Sequence, residues 1–311
     1  MNRLPAVTIM IPTYNQANVL PKALESALAQ DYDNFEVVVS DDCSTDNTQE
    51  SVQKFLSDRR LKYSRSSRNL GRVGNYKYML KELAKGDWVI NLDADDYFTD
   101  FSFIRRYIDL ILANQEEQIV FVQAGHQIRE DDGLLIRNEL PNIRDKLNIM
   151  DGKTYFLQFS HFSHLATLYN RKLALSVDFY RFDILSSDIE SFLRLALLGA
   201  VILVREVVGV WMHHDENESK RLDVDVLDKN LKSFEGPYSF AKSGEYIPLK
   251  KLNAWRRRMI DRHLIQHFHA FIRLGLPTGP YLLYIYKKYP RLFFRISFLK
   301  GFLKMIWHTK P

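Results

Sequence analysis

Two clusters of acidic residues have the spacing best suited to chemistry. The first is the segment DADD at 93–96, which directly follows an apolar run over 88–92. Carboxylates this close together at the end of a strand can hold a hard divalent cation, because proteins bind Mg²⁺ and Mn²⁺ with one or two carboxylates plus substrate phosphates. An ordinary turn has the same composition, since Asp accepts hydrogen bonds from nearby backbone. The segment alone therefore favours a metal site and a turn about equally.

The second cluster, Asp41 and Asp42, follows another apolar run. Paired carboxylates suit the donor-rich edge of uracil or the hydroxyl groups of ribose. Ser44 or Thr45 can cap the helix expected over 48–56. Such a cap explains the composition of residues 44–46, but it does not require two acids before them. The pair is therefore a candidate binding site.

A third segment, IPTYN at 11–15, contains Pro12, at which we expect the first strand to end. Tyr14 then lies in a loop, where its ring can stack on a base. When the segment is taken alone, an ordinary loop aromatic explains it better.

Strand and helix patterns alternate through the first hundred residues. We expect strands over 7–11, 35–39, 61–64 and 88–92, and helices over 19–30, 48–56 and 76–84. Asn18 is the expected cap of the first helix. The alternation predicts an α/β fold with a parallel, doubly wound sheet. Ligands bind beyond the carboxyl ends of such strands, which is where both acidic clusters lie.

After residue 100 the pattern loosens. We expect a helix over 101–113, a strand over 119–124, an irregular region to 150, a helix over 186–198 and a strand over 201–210. The rest of the chain is predicted to be helical.

Four motifs in this order resemble the nucleotide-sugar-binding half of inverting glycosyltransferases of family 2, which have the GT-A fold. They are PTYN at 12–15, DDCSTD at 41–46, RNLGRVGN at 68–75 and GDWVINLDADD at 86–96. The resemblance is close over 6–100 and looser to about residue 215. It implies a Rossmann-like, mostly parallel sheet flanked by helices, with a helical, basic C-terminal extension.

The resemblance also implies three parts and a set of site residues. Residues 1–100 would form the nucleotide-sugar-binding half, 101–220 the acceptor-binding half and 221–311 the extension. The implied nucleotide-sugar-binding residues are Pro12, Thr13, Tyr14, Asp41, Asp42, Asn69, Gly71, Arg72, Asp93 and Asp95. Among these, Thr13 and Tyr14 line the base pocket, and Asp95 is the ligand of Mn²⁺ or Mg²⁺.

The family usually supplies its catalytic base from a helix that reads roughly EDxxLxLRLxxxG. Residues 187–199 match that frame and place Asp188 at the base position, with Ser187 where Glu is usual. Glu190 is the second choice. Such a base accepts the proton of the acceptor hydroxyl. The alternative is that an acid in the first helical turn only favours the helix dipole, by about 0.3–1 kcal/mol.

Histidines provide one further candidate. The segment WMHHDENES at 211–219 resembles the family's segment after its last core strand, where a His lies near the metal or diphosphate, and His214 fits that frame better than His213. A structural histidine fits equally well. The others, including His164, His263 and His267, lack metal-ligand spacing.

Composition excludes several classes of protein. With 46% hydrophobic and 26% charged residues among 311, the chain is globular rather than disordered. Its single cysteine, Cys43, excludes an internal disulfide and a Cys-rich zinc site. Because no secretion leader opens the chain and no run of about 18 apolar residues occurs, we expect a cytoplasmic protein without a membrane-spanning helix.

Charge is strongly segregated along the chain. Residues 249–311 carry 14 basic side chains and one acid, whereas residues 1–248 carry 29 basic and 37 acidic ones. The cations Arg291, Arg295, Lys300 and Lys304 recur among aromatic residues, which is typical of a helix at an anionic membrane surface. Packing on the protein itself or on a partner chain is the alternative. Nucleic acid is not expected, because no binding motif accompanies the charge.

These expectations together describe an inverting glycosyltransferase. We expect it to transfer a sugar from a UDP-linked donor to a lipid-linked saccharide acceptor. The reaction would serve cell-surface polysaccharide synthesis at the inner face of the membrane. A nucleotidyltransferase is one alternative, but the segment PTYNQAN at 12–18 lacks a Gly-rich, basic triphosphate loop. A catalytically silent nucleotide-sugar-binding or scaffold protein is the other, because Ser187 replaces Glu.

Overall fold

The computed structural model describes residues 3–130, 132–159, 162–214, 223–295 and 298–299. Two compact units can be distinguished. Unit 1 comprises Met1–Asp183 and Ser187–Asn217, and unit 2 comprises Ile184–Ser186 and Glu218–Pro311.

Unit 1 contains all the strands of the described residues. They are β1 Val7–Thr13, β2 Phe35–Asp41, β3 Leu61–Arg65, β4 Trp88–Asn91, β5 Tyr97–Phe98, β6 Ile119–Glu130, β7 Leu135–Glu139, β8 Leu147–Asp151, β9 Thr167–Asn170 and β10 Ala200–His213. Its helices are α1 Leu20–Leu28, α2 Thr48–Gln53, α3 Arg72–Tyr78, α4 Phe103–Ala113, α5 Gly152–Gln158, α6 Arg171–Ser176 and α7 Ser187–Ala196. A π-helical turn over Met79–Leu83 continues α3.

These strands form one sheet in the order β3-β2-β1-β4-β9-β6-β10-β5, with β7 beside β6 and β8 beside β10. Strands β1, β2, β3, β4, β6 and β10 run in one direction, and the others run against them. The expected α/β fold with a mostly parallel sheet is therefore confirmed. The predicted halves 1–100 and 101–220 share this sheet, and their division by ligand stays a prediction.

Side chains from both sequence halves form the main core. Ile9, Val37 and Ile90 of the parallel strands are fully buried with Leu24 of α1 and Ile104 of α4. Apolar spacing at i, i+3 and i+4 gives these helices one buried face, so each can cover the sheet.

Several element boundaries differ from the expectation. Strand β1 continues through Pro12 to Thr13. Proline is tolerated there because only the first four residues of β1 pair with β4, so Pro12 needs no N–H to bond that strand. The irregular region before 150 instead contains the end of β6 followed by β7 and β8.

The two predicted helix caps are wrong. The residue preceding α1 is Val19, and no side chain caps that helix. Ser44 and Thr45 bond Asn15 instead: Asn15 N donates to Ser44 Oγ at 2.9 Å, and Thr45 N donates to Asn15 Oδ1 at 2.7 Å. Ser44 and Thr45 therefore join the loop after β1 to the loop after β2. At the start of α2, Asp46 Oδ1 accepts a hydrogen bond from Thr48 N at 3.0 Å.

Unit 2 is helical in its described part. It contains α8 Val224–Asn230, α9 Lys232–Ser243, α10 Leu249–Arg273, α11 Thr278–Lys288 and a 3₁₀ turn over Pro290–Phe294. Leu264, Phe268, Tyr281 and Ile285 are buried in its own hydrophobic core. Among the described residues no helix is both long enough and apolar enough to cross a membrane.

Part of the basic C-terminal segment packs within unit 2. Arg291 Nη2 and Arg295 Nη2 lie 2.7 Å and 3.0 Å from the carboxylate oxygens of Asp261. Phe298 is fully buried and stacks on Phe268 with 4.5 Å between ring centroids. These residues therefore fit the alternative of packing on the protein itself, while Lys300 and Lys304 lie outside the described residues.

His263 and His267 generate a prediction about acid stability. Burial lowers the pKa of His263 from 6.5 to about 3, with a further contribution from His267, and lowers that of His267 to about 4. Below pH 6.5 these two histidines bind protons in the unfolded chain but not in the folded unit. Their contribution to the free energy of unfolding is therefore complete above pH 6.5 and is lost as the pH falls towards 4. We expect a loss of about 2 kcal/mol for each histidine, and so about 4 kcal/mol in all, at pH 5 relative to pH 7.5.

Urea unfolding followed by circular dichroism at pH 7.5 and pH 5 measures this loss. The double variant His263→Phe, His267→Phe should show a smaller difference between the two pH values than the wild type. An equal difference would mean that other groups cause the acid sensitivity.

Candidate active site

Parallel pairing brings the first two polar segments together. Thr13 lies opposite Asp41 in the register of β1 and β2, and Asp42 N donates to Thr13 O at 2.9 Å. Thr13 is buried beside them, whereas Tyr14 is 47% exposed. The carboxyl ends of these strands thus form one polar edge, with Tyr14 accessible to solvent.

Asp41 is buried and supports this edge from inside. Its Oδ1 accepts a hydrogen bond from Ser44 N at 2.8 Å, and its Oδ2 accepts one from the Tyr63 hydroxyl at 2.7 Å. Arg65 Nε lies 3.5 Å from the same Oδ2. Both carboxylate oxygens therefore already have protein partners.

Asp42 holds the loop that contains Asn69 and Gly71. Its Oδ1 accepts a hydrogen bond from Leu70 N at 2.7 Å, and Asn69 Oδ1 accepts one from Gly71 N at 2.9 Å. Gly71 has φ of 78°, a conformation that favours glycine. Burial is the main reason that the pKa of Asp42 is raised, and the backbone donors oppose this.

Helix α3 connects this edge to the second acidic cluster. The loop held by Asp42 leads into Arg72, the first residue of α3, whose guanidinium lies 5.8 Å from the centre of the Tyr76 ring. The buried Tyr76 donates its hydroxyl proton to Asp93 Oδ1. Burial, and then the charge of Asp93, raises the pKa of Tyr76 well above its ordinary value, so this phenol remains a donor.

The DADD segment carries its acids in three different environments. Asp95 Oδ2 lies 2.7 Å from His214 Nε2, and Asp96 Oδ1 accepts a hydrogen bond from Met212 N at 2.9 Å. Burial, and then the charge of Asp93, raises the pKa of Asp95. The hydrogen bond with His214 opposes this increase. Burial and the neighbouring acids raise the pKa of Asp96 well above its ordinary range.

This donor set fits a divalent cation. Burial, and then the charges of neighbouring acids, raises the pKa of Asp95 and of Asp96, and an added positive charge would favour their ionised forms. In the described part of the chain, no three His, Cys, Asp or Glu side chains converge as a complete metal cage. An incomplete protein ligand set is usual for Mg²⁺, which takes its remaining ligands from phosphates and water.

Asp188 and Asp93 act on the same buried rings. The charges of both raise the pKa of Tyr76 and oppose the lowering that burial imposes on the pKa of His164. His164 Nε2 lies 2.8 Å from the hydroxyl of Tyr180, and the Tyr180 ring stacks on Tyr76 at 5.2 Å. The charges of the two carboxylates therefore act on one aromatic cluster, formed by Tyr76, His164 and Tyr180.

Glu190 has a different environment from Asp188. It is 1% exposed, and Arg194 binds it through two hydrogen bonds of 2.9 and 2.7 Å. Arg181 Nη2 lies 2.8 Å from its Oε1. Asp188 is partly exposed and forms no ion pair or side-chain hydrogen bond with the described residues. The geometry therefore leaves Asp188, and not Glu190, open to a substrate.

Comparison with known proteins identifies the family. The sequence model of "Glycosyl transferase family 2" matches residues 8–175, more than half of the chain. The chain belongs to this family. The match includes β1 to β4 and both acidic clusters, and it ends before α7.

Individual relatives of this family 2 member extend the comparison. The hyaluronan synthase of Pasteurella multocida is 28% identical over 231 residues, which cover 72% of this chain and 22% of the synthase. The Escherichia coli enzyme UDP-Glc:alpha-D-GlcNAc-diphosphoundecaprenol beta-1,3-glucosyltransferase WfaP is 31% identical over 125 residues, covering 40% of this chain and 47% of that enzyme. The chain thus spans less than half the length of either relative.

A solved structure shows that the GT-A fold is shared. The fragment 1–349 of Staphylococcus aureus TarS, solved in complex with UDP-GlcNAc, superimposes with a TM-score of 0.64 at 18% identity. The alignment covers 88% of this chain and 82% of that fragment.

Sequence reasoning missed the aromatic cluster. Tyr76 directly follows the RNLGRVGN motif, and this position at the start of a helix was an available signal. His164 and Tyr180 lie in loops without periodicity, and Tyr180 adopts φ of 60°. Only the folded chain brings them to Tyr76.

Tyr76 generates a prediction for this site. In Tyr76→Phe, Asp93 loses a charge-assisted hydrogen bond worth about 1.5 kcal/mol, and we expect the affinity for a nucleoside diphosphate such as UDP, titrated in the presence of Mn²⁺, to fall about tenfold. Isothermal titration calorimetry measures the affinity. Tyr78→Phe, at the end of the same helix, is the matched control and should bind UDP as the wild type does. Equal affinity in all three proteins would contradict the positioning role of Tyr76.

Proposed function

We propose that this family 2 member is an inverting glycosyltransferase that transfers a sugar from a UDP-linked donor to a lipid-linked saccharide acceptor. The reaction would serve cell-surface polysaccharide synthesis at the inner face of the membrane. The observation that supports the proposal is that Asp93 and Asp188 both act on one aromatic cluster: Asp93 accepts the Tyr76 hydroxyl hydrogen bond, and the charges of both acids affect the pKa of Tyr76 and of His164. One carboxylate is then available to the donor and the other to the acceptor.

The proposed donor site uses the edge formed by β1 and β2. Tyr14 is exposed there and would stack on the base, with Thr13 beside it. Asp42 would contact the uracil or the ribose through the oxygen that does not hold Leu70. Asp41 would act indirectly, because both of its oxygens are already bonded within the protein.

The diphosphate would bind between α3 and the DADD segment. Arg72 at the start of α3 supplies a positive charge, and Asp93 is fixed by the Tyr76 hydroxyl. Asp95, with His214 beside it, would hold Mn²⁺ or Mg²⁺. When bound, such a cation offsets the negative charge that develops on the departing diphosphate.

Asp188 would act as the general base. Its carboxylate accepts the proton of the acceptor hydroxyl while that oxygen forms a bond to the anomeric carbon. The bond from the anomeric carbon to the UDP oxygen breaks, and its electron pair remains on UDP. Attack from the face opposite the leaving group inverts the anomeric centre and gives the glycosylated acceptor, UDP and protonated Asp188.

The names of the relatives support the choice of substrates. WfaP is described as taking UDP-Glc and an acceptor attached to diphosphoundecaprenol, and the TarS fragment was solved with UDP-GlcNAc. The basic composition of residues 249–311 suits an enzyme whose acceptor lies in an anionic membrane.

Calorimetric titration of UDP, GDP, dTDP and CMP, each with and without Mn²⁺, tests the donor site. We expect UDP to bind only with Mn²⁺, and Asp95→Ala to weaken this binding by more than about tenfold because a metal ligand is lost. Asp145→Ala, at an exposed acid of unit 1, is the control. Binding that ignores the metal would contradict the role of Asp95, and absence of binding to all four would favour a silent scaffold protein.

Two variants on α7 test the base. Asp188→Asn should lower kcat about 10²- to 10⁴-fold with unchanged UDP affinity and melting temperature, because only the proton acceptor is lost. Glu190→Gln removes the partner of the buried Arg194 and should cost about 3–5 kcal/mol of stability. Thermal unfolding and turnover of UDP-sugars measure both. Wild-type turnover in Asp188→Asn would contradict the assignment.

A further inference from the structure

Unit 2 contains an open basic groove along one side of α10. Its volume is about 800 Å³, and Arg257, Arg258, Arg262 and Arg295 line it together with Asp261. The three helical arginines are spaced by one, four and five residues, so they project from one side of the helix. The groove therefore presents four guanidinium groups and one carboxylate.

The single acid does not cancel this charge. Asp261 is 4% exposed and binds Arg291 through two hydrogen bonds of 3.1 and 2.7 Å and Arg295 through one of 3.0 Å. Arg257 Nε lies 4.0 Å from the same carboxylate. Asp261 thus holds Arg291 and Arg295 against α10, and the charged side chains that line the groove are four arginines and one aspartate.

Apolar side chains are exposed next to these cations in the sequence. Phe294, which directly precedes Arg295, is 86% exposed, and Leu299 is 43% exposed. Phe298 between them is fully buried in the core of unit 2. The segment therefore keeps one aromatic ring inside and presents two apolar side chains to the solvent, which is unfavourable unless they meet an apolar phase.

We propose that the groove binds phosphate headgroups of an anionic lipid surface, with Phe294 entering the boundary of the acyl chains. Guanidinium groups bind phosphate through two parallel hydrogen bonds, and an aromatic ring beside cations suits the interface between headgroups and acyl chains. The helix α10 supplies most of the cations, whereas the sequence pattern assigned them to the last helix of the chain. This inference rests on the proposed function in one respect: a lipid-linked acceptor gives the enzyme a reason to bind a membrane.

Co-sedimentation of the full chain with lipid vesicles tests this surface. The wild type should bind vesicles of phosphatidylglycerol and phosphatidylcholine and not vesicles of phosphatidylcholine alone, and added salt should weaken the binding. The triple variant Arg257→Gln, Arg258→Gln, Arg262→Gln should bind on the order of 100-fold more weakly.

The matched control is the triple variant Lys229→Gln, Lys242→Gln, Lys287→Gln. It removes the same charge from exposed positions of unit 2 outside the groove and should retain most of the binding. Equal loss in the two triple variants would show that only net charge matters and would overturn the proposal. So would binding of the wild type to both kinds of vesicle alike.

Further measurements keep the result interpretable. Circular dichroism checks the fold of each variant, and Arg257→Gln alone, at a side chain that is 61% exposed, replaces the triple variant if that one unfolds. Displacement of the protein from vesicles by inorganic pyrophosphate at equal phosphate concentration would show that the groove reads a soluble anion and would overturn the lipid assignment.

UDP titration of the same variants separates this inference from the proposed function. Lost vesicle binding with intact UDP binding supports the groove and leaves the donor site unaffected. Groove-dependent vesicle binding by a wild type that binds no nucleotide would support the groove while contradicting the proposed function.

Discussion

Five carboxylates lie along one edge of a sheet, and the electrostatic cost of holding them there shapes the rest of unit 1. Burial opposes ionisation of Asp42, Asp95 and Asp96. Hydrogen-bond donors from several elements stabilise the ionised carboxylates. They include the backbone N–H groups of Leu70 and Met212. Because each acid accepts a hydrogen bond from its own donor, the acids keep defined positions despite their mutual repulsion.

The same constraint explains why the cluster of Tyr76, His164 and Tyr180 is aromatic rather than charged. A cationic side chain in contact with Asp93 would neutralise its carboxylate. The phenol of Tyr76 instead donates one hydrogen bond and leaves the carboxylate charged. The stacked rings also exclude water, so the field of each carboxylate acts over a longer distance. The arrangement therefore suits a site that must accept an external cation.

Much of this site was predictable because it depends on rules that act locally. Short apolar runs predict β1, β2 and β4, and the carboxyl ends of parallel strands meet at one edge, so Asp42 and Asp93 could be assigned to one site from the sequence. Strands whose residues are mostly exposed were not predictable in the same way. The region before 150 contains β7, a strand of five residues that are mostly exposed, and its sequence LIRNE does not alternate between apolar and polar residues.

Other features depend on tertiary contacts. The sequence motif put Asp188 first and Glu190 second as the base, but it could not show which of the two side chains is buried, although they are only two residues apart on α7. At 3.6 residues per turn they point in nearly opposite directions, and only the packing of Arg194 shows which direction is buried. Similarly, the pattern of Arg291 and Arg295 predicts a surface helix, but their partner Asp261 lies 30 and 34 residues earlier.

Residues Ile184–Ser186 belong to unit 2 although unit 1 precedes and follows them. Asn230 Oδ1 accepts a hydrogen bond from Ser186 N at 2.8 Å, directly before α7 begins at Ser187. The chain therefore passes through the second unit before it forms the helix that carries Asp188. As a consequence, in a fragment that ends at residue 217 the Ser186 N–H would lose Asn230 as its hydrogen-bond partner, directly before the helix that carries Asp188.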